Sequence, residues 1–109
     1  MKPKKPDLLQ GTLDLLVLKT LAHGPQHGYG VAQKILLLSR QILEVQHGSL
    51  YPALHRLEKK GMVESEWRES EAGRMAKFYA LTKAGQKHLE QESKQWAQYA
   101  SAINWVLEA

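Results

Sequence analysis

Apolar positions spaced three and four apart mark helices along most of this chain, with one alternating stretch between the third and the last. The first helix runs from Gly11 to His23, and Gly24-Pro25 stops it. Leu13, Leu16, Val17 and Leu21 form one stripe on it, and Leu15 and Leu18 add apolar surface away from that stripe. A helix this apolar needs cover on more than one side, and a second copy of the chain is one source of it. His27-Gly28-Tyr29-Gly30 opens a second helix that reaches about Leu38, with Val31, Ile35 and Leu38 inward. Its glycines let another backbone come close. Ser39 to Gln46 is a connector in which Leu43 and Val45 alternate as in a short extended piece. The third helix spans His47 to Lys60, with Gly61 as its C′ residue. Pro52 fits only near a first turn, which predicts a start close to Gly48 or Ser49.

The third helix has two unlike faces. Leu50, Leu54 and Leu57 fall on one stripe, with Ala53 beside it. Pro52, His55, Arg56 and Lys59 fall opposite, flanked by Ser49 and Tyr51. Beyond it the period changes to two. Val63, Ser65 and Trp67 alternate with Glu64, Glu66 and Arg68, and Lys77, Tyr79 and Leu81 alternate with Ala76, Phe78 and Ala80. The polar, Gly-containing stretch from Glu69 to Met75 joins these strands, Met62–Arg68 and Ala76–Leu81, as a hairpin. An isolated hairpin is marginal in water, so it must pack on the helices. Thr82 then caps a last helix that reaches nearly to the end. Roughly 26 residues at ~1.5 Å each give about 40 Å, too long for one small domain to cover. Leu89, Trp96 and Ile103 recur every seven residues, and Ser93, Ala100 and Leu107 follow each by four. Tyr99 and Val106 edge this near-heptad seam, which predicts pairing with a second chain and packing on the first helix.

Composition narrows the classes. The chain has 109 residues, 43% of them hydrophobic, enough for one domain with a modest core. It has no cysteine, so disulfides and thiolate metal sites are excluded. That absence suits a cytoplasmic protein, and the densest apolar run, Leu13 to Leu21, is interrupted by Asp14, Lys19 and Thr20, which argues against a membrane span. The net charge is +4. Residues 1–81 carry 12 Lys+Arg and 8 Asp+Glu, whereas residues 82–109 carry 3 of each. The surplus lies outside the last helix and favours a polyanionic partner for the rest. Residues 1–7, with two prolines and three lysines, read as a flexible basic arm. The five histidines do not combine with enough other ligands at metal-site spacing. No nucleophile and base, phosphate-cradling glycine loop or carboxylate pair points to an enzyme. Neither a cofactor nor a metal is expected.

Three short helices followed by a hairpin make a winged helix, in which the third helix enters the major groove of a DNA duplex. Affinity for a duplex comes from neutralising phosphates, and specificity from base edges. Arg56 could pair with a guanine or hold a phosphate. Ser49, Tyr51 and His55 could donate to either, and Pro52 and Lys59 share their face. Arg74 at the hairpin tip and Lys77 on its return strand are the wing candidates. Lys60 is one further cation, and Trp67 and Trp105 read as packing residues.

The residues also resemble a family. Gly11-Thr12-Leu13-Asp14-Leu15-Leu16, His27-Gly28-Tyr29-Gly30, Gly48-Ser49-Leu50-Tyr51-Pro52-Ala53-Leu54, Arg56-Leu57-Glu58, Lys77-Phe78-Tyr79 and Leu81-Thr82 are similar, in that order, to the PadR family of bacterial transcriptional regulators. The resemblance spans about residues 8 to 107. It implies a winged-helix repressor that binds a palindromic operator as a homodimer, with the C-terminal helix making much of the dimer interface. The single final helix matches the short subgroup. Many members respond to a small aromatic or toxic compound, in some of them at the dimer interface. The chain departs from the family where Arg74 precedes Met75, since adjacent arginines are common at that tip, and its hairpin carries Glu66, Glu69 and Glu71.

The expectation is a mainly α chain with a small β-hairpin. Residues 1–81 form a winged helix-turn-helix domain, and residues 82–109 a long dimerisation helix. Leu13, Leu16, Leu89, Trp96, Ala100, Ile103 and Leu107 are the dimerisation candidates. Trp96, wide and flat, is also the candidate for stacking a small aromatic effector. The alternative is a winged-helix protein-interaction or ligand-sensing module that does not bind DNA, which the acidic hairpin motivates.

Overall fold

The computed structural model describes residues 8–109, so the expected arm over residues 1–7 lies outside the described residues. The order of elements is α1 (Leu8–Ala22), β1 (Gln26–His27), α2 (Gly28–Leu38), α3 (His47–Lys59), β2 (Val63–Glu69), β3 (Met75–Leu81) and α4 (Lys83–Glu108). β2 and β3 form the expected antiparallel hairpin, with Ser65 opposite Tyr79 and Trp67 opposite Lys77. The sequence reading missed β1. It pairs with the outer edge of β3, Gln26 with Tyr79 and His27 with Phe78, and makes a three-stranded sheet in the order β1-β3-β2.

The core is one cluster built around α1. Leu13, Val17, Leu18 and Leu21 of α1 meet Val31 and Ile35 of α2, Leu50, Ala53, Leu54 and Leu57 of α3, Val63 and Tyr79 of the sheet, and Leu89 of α4. Leu18, placed by periodicity off the main stripe, is fully buried. It can be so because α1 is covered by α2, α3, α4 and β3 of the same chain. The second cover expected from another copy is therefore largely intramolecular. Thr20 is the one polar residue buried among those described, and its hydroxyl donates to the Leu16 carbonyl at 2.8 Å.

Local chemistry explains where the helices begin and end. His27 caps α2, its Nδ1 accepting from the Gly30 N–H at 3.0 Å. Thr82 caps α4 as expected, its hydroxyl accepting from the Gly85 N–H at 3.1 Å. α3 ends at Gly61, which has φ +75°, while the Met62 N–H reaches back to the Leu57 carbonyl at 2.9 Å. α2 ends with the same pattern of bonds, Gln41 N–H to Leu36 carbonyl at 2.8 Å and Arg40 N–H to Leu37 carbonyl at 3.1 Å. There the left-handed residues are Arg40 and Gln41, with φ 56° and 67°. The connector after α2 is not extended into a strand; Leu43 and Val45 instead pack on the core.

α3 starts at His47, so Pro52 lies inside the helix rather than in its first turn. Proline gives the Gly48 carbonyl no hydrogen, but both residues are exposed and water can serve that carbonyl. At the start of α4, Gly85 sits against the backbone of Met62, where a Cβ would lie 2.0 Å from the carbonyl oxygen. That close approach seats α4 on the turn after α3.

Candidate nucleic-acid interface

The burial of Leu50, Ala53, Leu54 and Leu57 turns the other side of α3 outward. Ser49, Tyr51, Pro52, His55 and Lys59 are exposed together on it, as their spacing predicts. Tyr51 is 46% exposed and is held from behind, because a Cβ on Gly28 would meet its ring at 2.8–3.0 Å. The His47 ring stands edge-on to it, 5.8 Å between centroids. The glycine is therefore what allows α2 to support the tyrosine.

Arg56 and Lys77 are not the free cations that the sequence suggested. The Arg56 guanidinium bonds the Asp14 carboxylate of α1 at 3.0 Å, with the two side chains 33% and 22% exposed. The reason is rotational: Arg56 lies at the edge of the buried stripe, beside α1, rather than at the centre of the outer face. Lys77 Nζ reaches Glu58 Oε1 of α3 at 3.4 Å. The Ser65 hydroxyl donates to the other oxygen of Glu58. That hydrogen bond, helped by the Lys77 charge, holds the Glu58 carboxyl below its usual range against the opposing effect of burial. Lys77 also lies 5.6 Å from the centroid of the Tyr79 ring. Burial pushes the Tyr79 phenol up from its ordinary value.

The remaining wing cations differ. Arg68 stacks 4.1 Å over Phe78 and approaches Glu66 at 3.9 Å. Arg74 is exposed in the tip turn, where the Ser70 N–H donates to the Arg74 carbonyl at 2.8 Å and Gly73 takes φ +78°. Lys59, Lys60 and Arg74 have no ion pair among the described residues. Glu64, Glu66, Glu69 and Glu71 are exposed on the hairpin. By the pleat, Glu64 and Glu66 lie on the face away from Ser65 and Lys77. Between the start of α2, Tyr51 and the wing runs an open groove of 940 Å³, with Tyr29, Trp67, Arg68 and Phe78 among its walls. Trp67, expected as a packing residue, is 66% exposed.

Sequence reasoning missed Asp14, Glu58 and Ser65 as partners of these cations. A signal existed for Asp14, because a carboxylate inside so apolar a helix needs a partner. Nothing local could name it, since Arg56 is 42 residues away.

The second candidate surface is the outer length of α4. Trp96 (40% exposed), Ile103 (38%) and Leu107 (76%) carry apolar side chains into solvent there, with Tyr99, Trp105 and Val106 alongside. Trp96 and Tyr99 lie 6.3 Å apart between ring centroids. Leu13 and Leu89 leave the list of partner-facing residues, because both are buried in the chain's own core and have almost no surface left to offer. Leu16 is partly buried against that core. Among the described residues no three His, Asp or Glu side chains cluster as metal ligands, and no helix is long and apolar enough to cross a membrane.

Comparison with known proteins agrees with this geometry. Residues 17–91 match the model of the transcriptional regulator PadR-like family. A transcriptional regulator of Mycobacterium tuberculosis is 35% identical over 89 residues, covering 82% of this chain and 79% of that protein. The structure of a transcriptional regulator from Clostridium thermocellum superposes with a TM-score of 0.82 at 27% identity, over 91% of this chain and 96% of the other. A PadR-like transcriptional regulator from Bacillus cereus gives 0.80 at 26% identity, over 95% and 99%. With the family match over residues 17–91 and these superpositions over nearly the whole chain, this chain belongs to the PadR-like family of transcriptional regulators and has its winged-helix fold.

Proposed function

We propose that the protein is a repressor that binds a palindromic operator in duplex DNA as a homodimer. The observation that carries this reading is the outward face of α3, where Ser49, Tyr51, Pro52, His55 and Lys59 stand together beside the wing. Its helix is narrow enough for a major groove, and its side chains offer hydroxyl, phenol, imidazole and ammonium groups to base edges and phosphates. Arg74 extends the contact from the wing tip. Two copies pair through Trp96, Ala100, Ile103 and Leu107 of α4, with Leu16 of α1 beside them. That pairing sets two α3 helices about one turn of duplex apart, or a multiple of it. A small aromatic effector stacks on Trp96 between the copies and changes the spacing of the two α3 helices. A cytoplasmic location follows from a DNA partner.

Selection of bound sites from random duplex DNA tests the reading directly. It should enrich inverted half-sites whose centres lie about 10–10.5 base pairs apart, or a multiple of that. Failure to enrich any sequence at low salt would refute it. The exposed Glu64, Glu66, Glu69 and Glu71 of the wing favour, in that event, a protein-binding or ligand-sensing module instead.

A further inference from the structure

We infer that Asp14 and Glu58 are built-in counter-ions that keep Arg56 and Lys77 off the DNA phosphates, and so restrain sequence-independent binding. This rests on the DNA-binding reading above. Both cations lie at the rim of the interface, with side chains 33% and 37% exposed, where an approaching duplex could reach them. Each is already held, Arg56 by Asp14 at 3.0 Å and Lys77 by Glu58 at 3.4 Å. A phosphate could take either cation only by displacing its carboxylate. The displaced carboxylate would then face the polyanion with no cation of its own. Ser65 strengthens the hold on the wing side by donating to Glu58.

Half-exposed ion pairs add little to stability, so folding alone gives weak reason for two of them beside a DNA-reading helix. Their larger effect is on affinity. Non-specific binding comes from phosphate neutralisation, and each neutralised phosphate adds about 0.9 to the slope of log K against log salt. Holding back one cation therefore makes non-specific binding about three- to fourfold less sensitive to a change from ~50 to ~200 mM salt. Contacts from Ser49, Tyr51 and His55 to bases are unaffected.

The test is the salt slope for a fluorescent duplex of scrambled sequence, measured by anisotropy. The proteins are the parent, Lys77→Gln, Glu58→Gln, Asp14→Asn and the double variant Glu58→Gln/Lys77→Gln. Glu58→Gln should steepen the slope by about 0.9. The double variant should return it to the parent value. Lys77→Gln alone should leave it unchanged, and Asp14→Asn should steepen it like Glu58→Gln. A slope flattened by about 0.9 in Lys77→Gln would place that lysine on a phosphate in the parent and overturn the inference. A steepening by Glu58→Gln that survives loss of Lys77 would also overturn it. Should Glu58→Gln or Asp14→Asn fail to fold, Lys77→Gln decides alone, since its side chain is outside the core. A parent that binds neither scrambled nor selected DNA overturns the DNA-binding reading itself. Flat slopes across the variants, with a parent that binds, overturn only the counter-ion role.

Discussion

Replacing Gly85 by alanine should unseat α4. Alanine is normally the better helix residue, by about 1 kcal/mol. Here the added Cβ would lie 2.0 Å from the Met62 carbonyl oxygen, 2.7 Å from Leu81 Cδ1 and 3.0 Å from the Met62 carbonyl carbon. Ordinary contact begins at 3.4 Å, so the worst shortfall is 3.4 − 2.0 = 1.4 Å. Leu81 could turn aside. The Met62 carbonyl cannot, because it accepts from the Thr82 N–H at 3.1 Å, next to the Thr82 hydroxyl that bonds the Gly61 carbonyl at 2.7 Å. The first turn of α4 must therefore back away, losing the Thr82 cap and loosening Leu89 in the core.

Overpacking of this kind costs about 3 kcal/mol at its upper end. The lost cap adds about 1 kcal/mol. Setting the gain in helix propensity against these leaves about 3 kcal/mol. For a domain of this size that corresponds to a fall in Tm of about 10–20 °C. Thermal melts followed by far-UV circular dichroism, at one fixed protein concentration, would measure it. Gly28→Ala is the matched control. Its Cβ meets first the far end of the Tyr51 side chain, at 2.8–3.0 Å, and Tyr51 is 46% exposed, so it has solvent to move into. It should cost under about 1 kcal/mol in stability, while displacing Tyr51 and weakening operator binding. If Gly85→Ala melts within a few degrees of the parent, or no lower than Gly28→Ala, the argument from the rigid carbonyl is wrong.

Two further outcomes follow from the same contacts. Glu58 has its carboxyl depressed in the folded state, so its contribution is complete above the usual glutamate range and disappears as pH falls through the depressed value. The stability gap between the parent and Glu58→Gln should therefore be present at neutral pH and close in acid; a gap independent of pH would refute the assigned contact. Ile103→Asp should weaken self-association at least tenfold in sedimentation velocity, because it would leave an unpaired charge in the α4 seam, and should leave the protomer folded since Ile103 is outside the chain's core. An unchanged sedimentation coefficient would move the partner surface elsewhere.

Periodicity made most of the architecture legible. The buried face of α3, the alternation in β2 and β3, the Thr82 cap and the Gly61 terminus depend on neighbours within a few residues, and the sequence shows those directly. What it hid depends on distant partners. β1 is two residues long, too short for any period, and exists because β3 offers an edge. Leu18 lies off the main stripe of α1, and its cover, expected from a second copy of the chain, comes from several elements of the same chain that enclose that helix. The outer face of α3 is legible at Ser49, Tyr51, Pro52, His55 and Lys59, but not at Arg56, which lies at its edge. The pairing of its edge cation with Asp14, and of the wing lysine with Glu58, could not be seen from charge counts. A cation pattern says how many positive groups a segment has, not which of them folding has already spent.

α2 and α3 finish with the same backbone knot, yet one closes on Gly61 and the other on Arg40 followed by Gln41. Side-chain-bearing residues resist that left-handed twist by about 1–2 kcal/mol each. Ser39 clasps the corner, giving its hydroxyl hydrogen to the Leu36 carbonyl at 3.1 Å and accepting from the Leu43 N–H at 2.9 Å. The bend between α2 and α3 is thus wound tight, with no slack to take up an extra residue. A longer loop at the open tip between Ser70 and Arg74 would instead change the reach of the wing and leave the orientation of α3 untouched.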